Sequence, residues 1–134
     1  MFKINICPKP TPRPRVKSII KNGKKINLTY YPSPYMKYKK DLCWLIKGLK
    51  IPNKDYKILW ATFGVPYPKT IKGGEKSKIE SQPLRNKFDC DNVLKGLMDA
   101  LEDAQVLSND NQIYIIHVCK LRTKTTGYIN FSLE

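Results

Sequence analysis

Apolar and polar positions along this 134-residue chain change period several times, and each change marks an element. Phe2 to Ile6 alternates apolar with polar, which predicts a short opening strand. Pro8 to Arg15 (PKPTPRPR) excludes helix and central strand, because proline lacks an N–H donor and fixes φ; it reads as an extended basic segment. Val16–Ile20 and Lys25–Tyr30 flank Asn22-Gly23, a dipeptide suited to a type I′ hairpin turn. Ser33-Pro34 predicts a helix start, with Ser33 as N-cap and Pro34 at the first helical position. Tyr38, Leu42, Leu45 and Leu49 follow at helical spacing with Ile46 beside them, and Gly48 and Pro52 close the helix. Tyr56 to Val65 (YKILWATFGV) is β-rich and partly continuous in its apolar residues, as a buried strand requires.

The pattern lapses between Pro66 and Lys87, a stretch with a Gly-Gly pair and a basic excess. It predicts a flexible basic loop over a binding face. Periodicity returns at Asp91 to Ala104, where Val93, Leu94, Leu97, Met98, Leu101 and Ala104 make one apolar helix face and Asp91 suits the N-cap. After the polar turn SNDNQ, Gln112–Leu121 and Tyr128–Leu133 read as two strands of a hairpin joined through Thr123 to Gly127. No internal repeat interrupts this order. The expectation is one α+β domain over residues 1–134, with two main helices packed on a single mixed sheet.

Charge adds what the pattern cannot. Residues 1–87 carry 21 basic and 4 acidic side chains, a balance of +17, whereas residues 88–134 carry 4 basic and 7 acidic, a balance of −3. A strongly basic body is the electrostatic footprint of a polyphosphate partner, since neutralising phosphates releases condensed counterions. Carboxylates gathered in such a protein repel that partner unless metal ions screen them. No apolar run approaches the length of a membrane span and the first residues lack a signal-peptide pattern, so a cytoplasmic protein is expected. Cys7, Cys43, Cys90 and Cys119 show no paired spacing of a zinc site and are expected to be reduced, mostly buried thiols.

Asp89, Asp91 and Asp110 are the acids best placed for chemistry. Residues two apart in an extended segment point to the same side, so Asp89 and Asp91 can face one point. Asp110 lies in the turn before a strand, and a short connection from the helix can place that strand beside the one preceding the helix. Three carboxylates from two strand ends then share a centre. Hard oxygen ligands of this kind suit Mg²⁺ or Mn²⁺. Lys95 stands one turn after Asp91, on the same face, where its ammonium can hold a phosphate, and Asp99 one turn later can orient it. Each residue also has an ordinary role at its position: Asp91 as N-cap, Asp110 as turn residue, Lys95–Asp99 as a solvent-exposed pair.

The run FDCDNVLKGLMDAL, followed by SNDNQI, resembles the RusA family of Holliday-junction resolvases, whose pattern is D-x-D-N-x-x-K-x-x-x-D-A-L and then an aspartate turn ending in glutamine. The Pro- and Arg-rich segment Pro10–Arg15 is similar to the opening common in that family. The resemblance implies a RusA-like homodimer, with metal held by Asp89, Asp91 and Asp110 and an essential Lys95. It also implies supporting roles for the matching Asn92, Asp99 and Gln112. The substrate it implies is a four-way DNA junction, cut by paired symmetric nicks in recombination and repair, with no organic cofactor and no membrane partner. Cys90 stands where relatives often carry Leu, and Asn109 where many have a second acid.

Arg13, Arg15, Lys37, Lys39, Lys40, Lys72, Lys76, Arg85 and Lys87 are candidate DNA contacts. Tyr30, Tyr31, Tyr35 and Tyr38 pack the first helix on the sheet or stack on bases. His117, the sole histidine, reads as a core or sheet-face residue. The rival reading is a non-catalytic basic nucleic-acid-binding protein, an inactive relative or an RNA-binding module, which needs the cationic body but no carboxylate cluster.

Overall fold

In the computed structural model, which describes residues 1–69, 79–85 and 89–134, a four-stranded sheet carries two helices on one face, and a two-stranded ribbon stands apart. The order is β1 (Phe2–Ile4), β2 (Arg15–Lys21), β3 (Lys24–Tyr30), α1 (Ser33–Gly48), β4 (Ile58–Pro66), α2 (Cys90–Asp103), a 3-10 turn (Asp110–Gln112), β5 (Ile115–Thr123) and β6 (Tyr128–Leu133). The α+β class and the mixed sheet agree with the sequence pattern. A single sheet does not, because β2 and β3 pair only with each other.

The main sheet runs β1-β6-β4-β5. β4 and β5 are parallel, Ile58 opposite Ile115 through Pro66 opposite Thr123, and β6 is antiparallel to both β4 and β1. The expected hairpin between the last two strands is therefore replaced by a crossing: β4 lies between β5 and β6, and residues 124–127 pass over its carboxyl end. Only that route lets β6 bury Ile129 and Phe131 centrally. Gly127 permits it, with φ at +116° and Cys7 Cα so near that a Cβ would come within 2.7 Å.

Alternation along the strands decides which face is covered. Leu59, Ala61 and Phe63 of β4, with Ile129 and Phe131 of β6, are buried beneath the helices. Tyr35, Tyr38, Leu42 and Ile46 of α1 and Val93, Leu97, Ala100 and Leu101 of α2 meet them. The buried stripe of α1 thus leans toward its amino end compared with the expected one, and Leu45 is left 40% exposed. Gly96 allows close approach of the helices, since a Cβ there would stand 3.3 Å from the Tyr35 hydroxyl. Burial pushes the Tyr38 phenol well above its usual range.

The opposite face of the sheet is open. Trp60 is 44% exposed and stacks on His117 at 3.7 Å between ring centroids, which confirms His117 as a sheet-face residue. Thr62 Oγ1 lies 3.2 Å from Cys119 Sγ on this face. None of the four cysteines is buried; Cys7 and Cys119 are exposed, and all four are free thiols.

Element ends shift for local reasons. Pro32 is the N-cap of α1, so Ser33 and Pro34 occupy the first two helical positions, and the cap makes no side-chain hydrogen bond. At the far end Lys50, with φ of +54°, takes the left-handed position expected near Gly48. Asn22 and Gly23 have φ of +52° and +73°, the two positive values that a type I′ turn requires. Within the expected loop Pro66–Lys87, residues 79–85 run back along β5: Ser81 N–H donates to Arg122 O, Arg122 N–H to Gln82 O and Leu84 N–H to Lys120 O. Leu84 is buried, and the Tyr67 hydroxyl fixes Ile79 and Gln82. The Lys124 N–H bonded to Glu80 holds that carboxyl below its usual range. The rest of that expected loop, 70–78 and 86–87, lies outside the described residues. No helix among the described residues is long and apolar enough to cross a membrane.

The two faces of β4 should differ sharply in cost when truncated. Phe63→Ala is expected to lose about 3–5 kcal/mol of unfolding free energy in urea, and Trp60→Ala only about 1 kcal/mol. Equal losses would mean that the open face is covered.

Candidate active site

Local geometry fixes the first pair of acids. Asp89, not Asp91, is the N-cap of α2; its backbone is extended (φ −74°, ψ 155°) and its carboxylate makes no capping bond. Asp91 lies in the first helical turn, where the partial positive charge of unpaired N–H groups favours an anion. Both side chains are exposed, whereas Cys90 between them is half-buried. Two unengaged carboxylates at this point are the donor chemistry that a hard divalent cation accepts.

The Pro- and Arg-rich segment is fastened beside them. Thr11 N–H donates to Asn92 O at 2.9 Å, and Thr11 Oγ1 lies 2.8 Å from the Tyr35 hydroxyl. Arg13 and Arg15 follow within four residues and are exposed. Asn92 therefore contributes a backbone carbonyl that seats this segment. Nothing in residue spacing pointed to Thr11.

One turn on, Lys95 is 53% exposed and its Nζ lies 3.7 Å from Asp99 Oδ2. The same oxygen of Asp99 lies 3.4 Å from Lys39 Nζ, whose side chain is only 18% exposed. Lys39 is thus engaged between the helices instead of facing solvent as a phosphate contact. Because Asp99 is shared, Lys95 keeps a half-exposed ammonium along the α2 surface that begins at Asp91. Lys37 pairs with Asp41 at the surface, 3.0 Å apart, and Lys40 and Arg85 are exposed. Lys72, Lys76 and Lys87 lie outside the described residues.

The third acid is elsewhere. Asp110 N–H donates to Glu102 Oε2 at 3.0 Å, in the last turn of α2. Eleven residues separate Asp91 from Glu102, which along an α-helix is about 16 Å. Asp110 therefore does not share a centre with Asp89 and Asp91 within one chain, and no three His, Cys, Asp or Glu side chains among the described residues are placed to hold a metal. The sequence reading correctly puts the Asp110 strand beside β4, but parallel pairing sends the acids to opposite ends. α2 starts at the carboxyl end of the strands, where Thr11 holds it, and finishes at their amino end, where Asn53 Nδ2 donates to Gln105 O.

Gln112 is central to that second end. Its Oε1 accepts from the backbone N–H of Ser108 and Asn109, and its Nε2 donates to the carbonyls of Lys54 and Tyr56. Asn109 Oδ1 accepts from Asn111 N–H, closing the turn. Gln112 thus fixes the turn that carries Asp110, and Glu102, which the pattern did not single out, accepts from its N–H.

Comparison with known proteins agrees with this arrangement of motifs. The chain is 50% identical over 38 residues to the crossover junction endodeoxyribonuclease RusA of Aquifex aeolicus (strain VF5); the match covers 28% of this chain and 30% of that relative. Residues 5–130 match the family described as endodeoxyribonuclease RusA. With nearly its whole length inside that match, the chain belongs to the RusA endodeoxyribonuclease family.

Proposed function

We propose that this protein resolves four-way DNA junctions, as a homodimeric endonuclease that hydrolyses phosphodiesters with Mg²⁺ or Mn²⁺ and nicks two opposed strands. The observation that carries this reading is the pair of exposed, uncapped carboxylates at the start of α2, followed on the same helix by the half-exposed Lys95, in a chain of net charge +14. Asp89 and Asp91 would hold the ion, which when bound activates water and stabilises charge on the attacked phosphate. Lys95 holds a phosphate oxygen, and Asp99 limits where its ammonium can swing. The arginines behind Thr11 bring the DNA backbone to that end of the helix.

A second copy supplies what one chain lacks. Since Asp110 is bonded to Glu102, at the end of α2 opposite Asp91, its carboxylate serves this centre from a partner, and two-fold symmetry then yields two centres for two strands. The outer edge of β5 supports such a pairing. Even-numbered residues of β5 turn their backbone groups outward, as Lys120 and Arg122 do toward residues 82–84. The outward groups of Ile116 and Val118 have no backbone partner among the described residues. Antiparallel pairing along Ile115–Cys119 sets the amino end of one β5 against the carboxyl end of the other, the relation the acids need.

On a synthetic four-way junction, Asp89→Asn is expected to bind as the natural protein does while Mg²⁺-dependent nicking falls by at least about 100-fold. Equal cutting by both proteins would dismiss the carboxylate assignment, and binding without cutting by the natural protein would leave the non-catalytic reading. A mixing experiment addresses the shared site. Asp89→Asn and Asp110→Asn, each inactive alone, should together recover about a quarter of natural activity, because half the dimers are mixed and each keeps one intact centre. No recovery, with mixed dimers demonstrated, would remove Asp110 of the partner from the site.

A further inference from the structure

The β2–β3 ribbon has no structural reason to exist within one chain. Every residue from Arg15 to Tyr30 except Ile19 is exposed, and neither strand packs substantially on any other helix or strand. Isolated two-stranded ribbons are marginal in water. This one also displays Val16 at 65%, Ile20 at 81%, Leu28 at 46% and Tyr30 at 44% exposure, so it gains stability only by being covered.

Its register sorts the side chains into two faces. Arg15, Lys17, Ile19 and Lys21 of β2 share a face with Lys24, Ile26, Leu28 and Tyr30 of β3. That face holds four of the ribbon's five cations; Lys25, on the other face, completes a cationic tip around Asn22-Gly23. The ribbon has no acidic residue, and no ion pair among the described residues uses its cations. A second copy of the chain, itself at +14, is electrostatically the wrong cover.

We infer that the β2–β3 ribbon is a DNA-binding arm. It lays the face of Lys17, Lys21, Lys24, Leu28 and Tyr30 into the major groove of a duplex arm, with the lysines on phosphates. A two-stranded ribbon fits a groove about 12 Å wide, and strands of this length reach about 23 Å from the body. Ile26, Leu28 and Tyr30, between the cations, rest on base edges and thymine methyl groups, which resolves their exposure; Val16 and Ile20 belong to the opposite face. The inference rests on the reading of the protein as acting on DNA, but it concerns a surface remote from the aspartates in sequence and needing no metal.

The test is the triple variant Lys17→Gln, Lys21→Gln, Lys24→Gln of the full chain. Binding to a linear duplex and to a four-way junction is followed by fluorescence anisotropy over a salt series without divalent ions. Affinity is expected to fall about tenfold or more, and the slope of log K against log salt to flatten by up to about 3. The melting temperature should not change, because the ribbon carries none of the core. A natural protein that binds DNA together with a variant of unchanged affinity and slope would overturn the arm while leaving the nuclease reading in place. A natural protein that binds neither DNA would overturn both. A variant that turns monomeric in light scattering would make the ribbon a protein contact and end the proposal.

Discussion

Parallel pairing of β4 with β5 constrains everything else in this molecule. Two parallel neighbours need a connection that returns the chain to its starting end, and α2 is that connection. A helix used in this way runs against the strands, so its two ends lie at opposite ends of those strands. Asp89 and Asp91 go with one end and Asp110 with the other. The acids of the motif therefore read as one cluster in the sequence and stand as two separate groups in the fold. In the proposed function, symmetry between two chains would rejoin them, and a substrate with paired strands to cut would give such symmetry a use.

Around this frame the charges are arranged by depth. Asp99 is only 25% exposed and is flanked by Lys39 and Lys95, so the acid nearest the helix contact is neutralised locally. Asp89 and Asp91 have no cation recorded against them within salt-bridge distance among the described residues; the helix terminus gives them partial compensation instead. An anion pair left open in this way is unfavourable in isolation, and the cation and phosphate backbone of the proposed function would relieve it. The same contrast extends to the ribbon, where cations stand without acids at all.

Local features of the fold were readable because their causes are local. Asn22-Gly23 demands positive φ wherever it occurs, and the turn is as expected. The apolar face of α2 follows from 3.6-residue spacing, and Val93, Leu97, Met98 and Leu101 are buried as that spacing requires. His117 sits on a sheet face because alternation puts it opposite Trp60. Errors arose where partners lie far away in sequence. The last two strands look like a hairpin, since only four residues join them, yet β4 is inserted between them. Asp91 looks like the N-cap, but the cap is Asp89 and the chain becomes helical two residues earlier than expected, at Cys90. Residues 79–85 have no period because they are held by Tyr67 and β5 and not by their own neighbours.

Taken alone, the sequence determined the identities of the acids, their spacing, the excess of positive charge and most element types. These depend on residue chemistry and on separations of a few positions. Only the tertiary structure decided that Asp110 stands at the far end of α2, that Lys39 is committed to Asp99, that Thr11 seats the arginine segment and that β2–β3 stands free of the core. The physical reason is strand order and direction: hydrogen bonding between residues 57 positions apart, such as Ile58 and Ile115, sets which ends of the elements meet, and no short-range pattern encodes it.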